Sequence, residues 1–272
     1  MKKSSLKIVV LALLIGACND KADHKHATAG APSNDKKGIP KNIHIMAQPD
    51  SIAIDSREAA IIVVDMQNDF GSKGGMFDRW GINISIIQKV ISPTAKVLAA
   101  AREAGIKIIY LKMGFHEDLS DVGSEDSEWH VGDTINAPNG AKGRILIRDT
   151  WNTDIVPELR PQPGDVVIYK TTYSGFYKTE LDSLLKQLGK KYLIITGCTT
   201  SVCVESTVRD ARFRNYPTIV LKDCTAEPVG YDLPRSNHDA SLLVIQTSFG
   251  WVSSSDEFIK SLKLQPTLAT KN

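Results

Sequence analysis

Apolar residues fall in short β-branched blocks that alternate with longer stretches of helical spacing. The first block, Ala59-Ala60-Ile61-Ile62-Val63-Val64, runs unbroken and ends in Asp65. Such a run is the pattern of a strand buried on both faces of a parallel sheet. A loop over 66–81 follows. Within 84–104, Ile87, Val90, Ile91, Ala95, Leu98 and Ala101 recur near a 3.6-residue period, and Gly105 ends the helix this predicts. Residues 106–113 read as a second strand. Residues 114–142 have little periodicity and are too long for a plain connector, which predicts a working loop or lid. A weaker strand-like run, 143–148, comes after it. Pro163-Gly164-Asp165 turns into Val166-Val167-Ile168-Tyr169, a strand that ends at Lys170. A short helix over 180–188 precedes Leu193-Ile194-Ile195-Thr196, a buried strand closed by Gly197. Past the small polar stretch Cys198-Thr199-Thr200-Ser201, Val204, Val208 and Ala211 stand at helical spacing, with Cys203 in the first turn. A fifth strand (218–221), a helical remnant (239–243), a sixth strand (244–247) and a terminal helix (255–262) complete the pattern. Strands alternating with helices predict a three-layer, Rossmann-like α/β fold: a mostly parallel sheet of about six strands with helices on both faces.

The first fifty residues do not share this pattern. Met1-Lys2-Lys3 is basic, residues 8–15 are apolar, and Gly16-Ala17-Cys18 follows. The apolar run is too short to span a bilayer and has the length of a secretory h-region. A cysteine straight after Gly-Ala resembles a bacterial lipobox, in which the chain is cut before the cysteine and lipid is attached to it. Residues 1–18 therefore read as a lipoprotein signal peptide with Cys18 as the lipidation site. The expectation is an exported protein tethered to a membrane, at the periplasmic face or the cell surface; an ordinary signal peptide is the plainer alternative. Residues 19–50, rich in Lys, Asp, His, Ala, Gly, Pro and Ser, read as a flexible linker. His24 and His26 within it read as incidental. Residues 51–265 form the expected globular domain, with a tail over 266–272. With 272 residues, 42% hydrophobic and 24% charged, the chain can bury one large core. Its 33 basic and 31 acidic residues nearly balance, and no basic stripe is interleaved with aromatics, so nucleic acid is excluded as a partner.

Ligands of open parallel sheets sit beyond the carboxyl ends of the strands. Asp65, Lys170 and Cys203 all fall at that edge. A thiol there can attack a carbonyl carbon, a carboxylate can take up and return its proton, and an ammonium can orient both. A cation and a helix start would lower the thiol pKa from ~8.5 toward ~3.5–7.5. The plain alternatives are a small buried residue, a turn cap and a surface lysine. A redox pair of Cys198 and Cys203 is weakened by the lack of a C-x-x-C spacing, and a Cys198–Cys203 disulfide would disable the thiol.

Val64-Asp65-Met66-Gln67-Asn68-Asp69-Phe70, Lys170 after its strand, and Gly197-Cys198-Thr199-Thr200-Ser201-Val202-Cys203-Val204 resemble the isochorismatase-like cysteine hydrolases over residues 52–262. The resemblance implies a catalytic triad of Asp65, Lys170 and Cys203. It also implies a cis Cys198–Thr199 peptide and an oxyanion hole built from the Thr199 and Cys203 N–H groups. Residues 170–184, 203–207 and 249–253 further resemble the ureidoacrylate-cleaving branch. This implies a cysteine amidohydrolase acting on a small amide or ureide substrate through a thioester, with no cofactor, and a homo-oligomer. Where that branch carries an amide side chain followed by Gly-Trp, this chain has Met113-Gly114-Phe115. An N-carbamoyl, biuret-like or nicotinamide-like substrate, or a catalytically silent tethered binding protein, are the alternatives. Phe70, Met113, Phe115 and Tyr173 are the candidate pocket residues. His116 and His130 lack ligand partners at metal spacing, so no metal is expected. Gln67 and Asp69 are read as braces of the Asp65 loop.

Overall fold

A two-stranded antiparallel hairpin, Asn42–Ile45 (β1) and Ile52–Asp55 (β2), leads into a six-stranded sheet whose paired strands are all parallel. The computed structural model describes residues 42–123, 143–230, 232–234 and 236–263. The expected lipobox, most of the linker, residues 124–142 of the expected lid, and the tail lie outside the described residues.

The sheet strands are Ala59–Val64 (β3), Lys107–Met113 (β4), Val166–Lys170 (β5), Tyr192–Cys198 (β6), Thr218–Ala226 (β7) and Trp251–Ser253 (β8), in the spatial order β5-β4-β3-β6-β7-β8. The helices are Asn68–Gly71 (α1), Met76–Arg79 (α2), Ser85–Glu103 (α3), Leu181–Gln187 (α4), Glu205–Phe213 (α5), Asn237–Val244 (α6) and Ser255–Lys263 (α7). Period-2 alternation sends successive side chains of each central strand to opposite faces. On one face Ile61, Val63, Ile108, Tyr110 and Ile194 pack with Val97 and Leu98 of α3 and Phe258 of α7. On the other, Ala60, Ile62, Val64, Ile109, Leu111, Leu193 and Ile195 pack with Leu181 and Leu185 of α4, Val208 and Ala211 of α5, and Leu242 of α6. Every residue of β3 is buried, as its unbroken apolar run predicts.

The domain starts earlier than the composition of residues 19–50 suggests. Asn42–Ile45 pairs with β2, its isoleucines Ile43 and Ile45 are buried, and Gln48 bridges to Val252 of β8. The linker reading therefore fails over 42–50. Two isoleucines alternating with Asn and His are enough to bury one face of a four-residue strand, yet too few to shift the local composition. Two strand assignments also change. Residues 143–148 form irregular turns, with one bridge between Phe115 and Ile147. Residues 244–247 belong to the end of α6 and a π turn, Ile245–Phe249, that continues it; the sixth strand is Trp251–Ser253.

The carboxyl ends of the central strands are held level by register. Val64 pairs with Gly197 and Leu111, and Met113 with Lys170. Gly197 has φ +113°, and a Cβ placed there would stand 2.0 Å from the Val64 carbonyl oxygen. Only glycine lets β6 pass β3 this closely while turning toward the segment that carries Cys203.

Candidate active site

Asp65 follows β3 in a left-handed conformation, φ 50°, which Asp tolerates better than most non-glycine residues. Its backbone is pinned from both sides. The Asp65 N–H donates to Leu111 O (2.9 Å), and its carbonyl accepts from the Gln67 N–H at 2.8 Å and the Cys198 thiol at 3.2 Å. Gln67 is fully buried and clamps the end of β4: Nε2 donates to Met113 O (2.8 Å), and Oε1 accepts the Met113 N–H (2.7 Å). Asp69 accepts from the Met76 and Leu146 N–H groups (2.9 and 2.7 Å) and from Asn152 Nδ2 (2.6 Å). Burial pushes its pKa up to about 6 against those donors. Gln67 and Asp69 thus tie the loop after β3 to its neighbours, as expected of braces.

Lys170, the last residue of β5, is almost wholly buried, and its Nζ donates to Asp65 Oδ2 at 2.7 Å and to Thr172 O at 3.1 Å. Asp65 Oδ1 is buried and makes no hydrogen bond of ordinary geometry. The Cys203 thiol lies within hydrogen-bonding and electrostatic range of both Asp65 and Lys170. Cys203 sits in a π turn, Thr200–Val204, that runs directly into α5, and is 6% exposed. The segment is tied down at several points. Thr199 O accepts from Val202 and Val204 N–H (3.2 and 3.1 Å), and Thr207 Oγ1 donates to Cys203 O (2.7 Å) while accepting from the Gly175 N–H (3.0 Å). The Cys198–Thr199 peptide is cis.

The electrostatics follow from burial. Desolvation would lower the Lys170 pKa, but Asp65 and Cys203 beside it outweigh that, so the ammonium is retained. Desolvation raises Asp65, with Lys170 partly opposing. For Cys203, desolvation raises the thiol pKa, Lys170 offsets part of this, and Asp65 adds to it. Against the lowered thiol pKa expected from a nearby cation and helix start, burial pushes the Cys203 thiol up by more than the Lys170 ammonium pulls it down. The sulfur stands beside a carboxylate placed to take its proton. The described cysteines, Cys198, Cys203 and Cys224, are all free.

Phe70, Met113 and Phe115 are buried in the apolar cluster on the α3 side of the sheet, where Phe70 meets Phe77 edge-on at 5.1 Å. Tyr173 packs against the cluster that contains Cys203. His116 lies beside Arg148 and 3.7 Å from Asp121; His130 is outside the described residues. Among the described residues no cluster of His, Cys, Asp or Glu could hold a metal ion. A cavity of about 710 Å³ lined by His116, Arg148 and Tyr169 opens beyond β4 and β5, but Asp65, Lys170 and Cys203 do not line it.

Two residues at this edge were not picked out from the sequence. Glu227, directly after β7, accepts from the Ser201 N–H and Oγ (2.9 and 2.5 Å), and His238 Nδ1 meets Thr200 Oγ1 at 2.9 Å. The signal for Glu227, an acid closing a strand, was present but hidden, because β7 runs on past Lys222-Asp223 to Ala226.

Residues 59–257 match the isochorismatase domain family. The chain is 42% identical over 220 residues to a ureidoacrylate amidohydrolase RutB of Serratia proteamaculans, covering 79% of this chain and 87% of that protein. It is 39% identical over 237 residues to the protein of that name from Variovorax paradoxus, covering 86% and 92%. Among solved structures, a cysteine hydrolase from Pseudomonas syringae pv. phaseolicola aligns with a TM-score of 0.66 at 30% identity, covering 77% of this chain and 94% of that one. N-carbamoylsarcosine amidase from Thermoplasma acidophilum aligns at 0.57 and 27% identity, covering 73% and 97%. With a family match across most of its folded length and relatives near 40% identity, the chain belongs to the isochorismatase family and is a hydrolase acting on C–N bonds.

Proposed function

We propose that Asp65, Lys170 and Cys203 are the catalytic residues of an amidohydrolase that cleaves ureidoacrylate or a closely similar ureide through a thioester on Cys203. One observation carries this reading: a buried Lys170–Asp65 pair at 2.7 Å within range of the Cys203 thiol, with one carboxylate oxygen uncommitted. The names of the relatives near 40% identity support the substrate.

Asp65 accepts the thiol proton as sulfur attacks the ureido carbonyl carbon. The oxyanion that forms is received by the Thr199 and Cys203 N–H groups; losing one such donor typically slows turnover by roughly a hundred- to thousand-fold. Asp65 returns the proton to the departing nitrogen, the C–N bond breaks, and a carbamoyl thioester remains on Cys203. Water, deprotonated by the same carboxylate, attacks the thioester; sulfur leaves and regains its proton, and carbamate is released to decompose to ammonia and carbon dioxide. Lys170 stays charged throughout, orienting Asp65 and balancing its negative charge. Tyr173, which packs against the cluster that contains Cys203, is the proposed source of substrate contact, whereas Phe70, Met113 and Phe115 lie in the cluster on the other face of the sheet.

An N-carbamoyl amino acid is the second reading, favoured by the likeness to an N-carbamoylsarcosine amidase and by Met113-Gly114-Phe115 where an amide followed by Gly-Trp was expected. Ammonia release from ureidoacrylate, N-carbamoyl amino acids and simple primary amides separates the two. Cys203→Ala should keep the parent circular dichroism and release no ammonia from any of them; turnover in that variant would overturn the assignment. The sequence pattern of residues 1–18 further supports lipid attachment at Cys18 and a place at a membrane surface, and the family resemblance supports a homo-oligomer.

A further inference from the structure

Two carboxylates stand close to the nucleophile's surroundings at this edge of the sheet, and the reaction above uses only Asp65. The other, Glu227, is 3% exposed. Its Oε2 accepts from both the Ser201 N–H and the Ser201 hydroxyl, and its Oε1 accepts from the Val229 N–H at 3.1 Å. Ser201 lies midway between Thr199 and Cys203, so Glu227 grips the turn between the two proposed oxyanion donors.

We propose that Glu227 is a positioning residue for the nucleophile turn, holding Cys203 Sγ and the Thr199 and Cys203 N–H groups in the geometry that attack requires. The inference rests on the reading of Cys203 as nucleophile. A carboxylate is a costly group to bury, and a serine or asparagine would suffice to cap a turn. What the acid adds is a fixed double acceptor. The neighbouring anchors do not duplicate it: His238 meets Thr200 through a side chain, and Thr207 holds the Cys203 carbonyl. Displacements of the order of 1 Å at a reacting group cost about a hundred-fold in rate, so a loose Ser201 would be felt at the sulfur without a change in fold.

The test uses the full chain, its Glu227→Gln, Glu227→Ala and Ser201→Ala variants, and the Glu227→Gln/Ser201→Ala double variant. Two probes are followed: ammonia from ureidoacrylate, and the burst of nitrophenol from p-nitrophenyl acetate, with Cys203→Ala as the blank. The expected result is a kcat and burst rate lowered about 10-fold in Glu227→Gln and about 100-fold in Glu227→Ala. KM should stay near the parent value throughout, and the near-isosteric Glu227→Gln should also keep the parent Tm. The double variant should lose no more than the worse single variant, because both changes break one contact. Variants that turn over like the parent, a fall in Tm with kcat unchanged, or losses that multiply in the double variant would overturn the proposal. A parent inert to both probes would instead sink the nucleophile assignment, and the inference with it, which is a separately recognisable outcome.

Discussion

The Lys170 ammonium has no water to fall back on. It is buried against Asp65, and each charge is tolerable only because the other is 2.7 Å away. Removing one partner from such a pair leaves an uncompensated buried charge, which costs about 3–5 kcal/mol. Lys170→Ala should therefore lose both hydrolysis and that much stability in urea unfolding, whereas Cys203→Ala should lose hydrolysis alone. Equal unfolding midpoints for the two variants would contradict the burial argument. The three residues were legible in the sequence because each ends or follows an apolar block, where a parallel sheet exposes its working edge. Glu227 obeys the same rule but was masked by Lys222 and Asp223, which look like a strand terminus and are in fact part of β7. The rise of the thiol pKa was also illegible, since desolvation depends on how tightly the surrounding elements close, and no spacing of residues records that.

Among elements, β6 is tightly bound up with the candidate site. It is central in the sheet, it shifts register against β7 between Ile195 and Gly197, and it hands the chain to the cis Cys198–Thr199 peptide. Gly197→Ala would drive a methyl group into the Val64 carbonyl at a backbone angle that alanine rarely adopts. A loss of at least ~1–3 kcal/mol is expected, together with reduced turnover, because Val64 precedes Asp65. Thermal unfolding and ammonia release measured on one preparation would check both; a variant matching the parent in each would show that the sheet can give way here. The long helix α3 was readable from its period and β3 from its unbroken apolar run. The error over 244–247 arose because Val-Ile-Gln-Thr suits a strand and a π turn equally, while the three residues of β8 are too few to show any period.

At the scale of the whole molecule, the described residues begin at β1, which packs against α7, and the proposed anchor lies upstream of them. Full-length protein made in a bacterial host should partition into a detergent phase, and Cys18→Ser should shift it to the aqueous phase with ammonia release unchanged; aqueous partitioning of the parent would refute the lipid anchor. Composition alone drew the front boundary of the domain at residue 51 and not at Asn42, where β1 begins, since the value of Ile43 and Ile45 appears only once their partners are known. Those partners have a consequence for how the protein is made. The segment after β1, the first of the described strands, bridges at Gln48 to β8, and β1 itself rests on α7, both among the last described segments in chain order. The hairpin can therefore complete its docking only after nearly the entire polypeptide has been made.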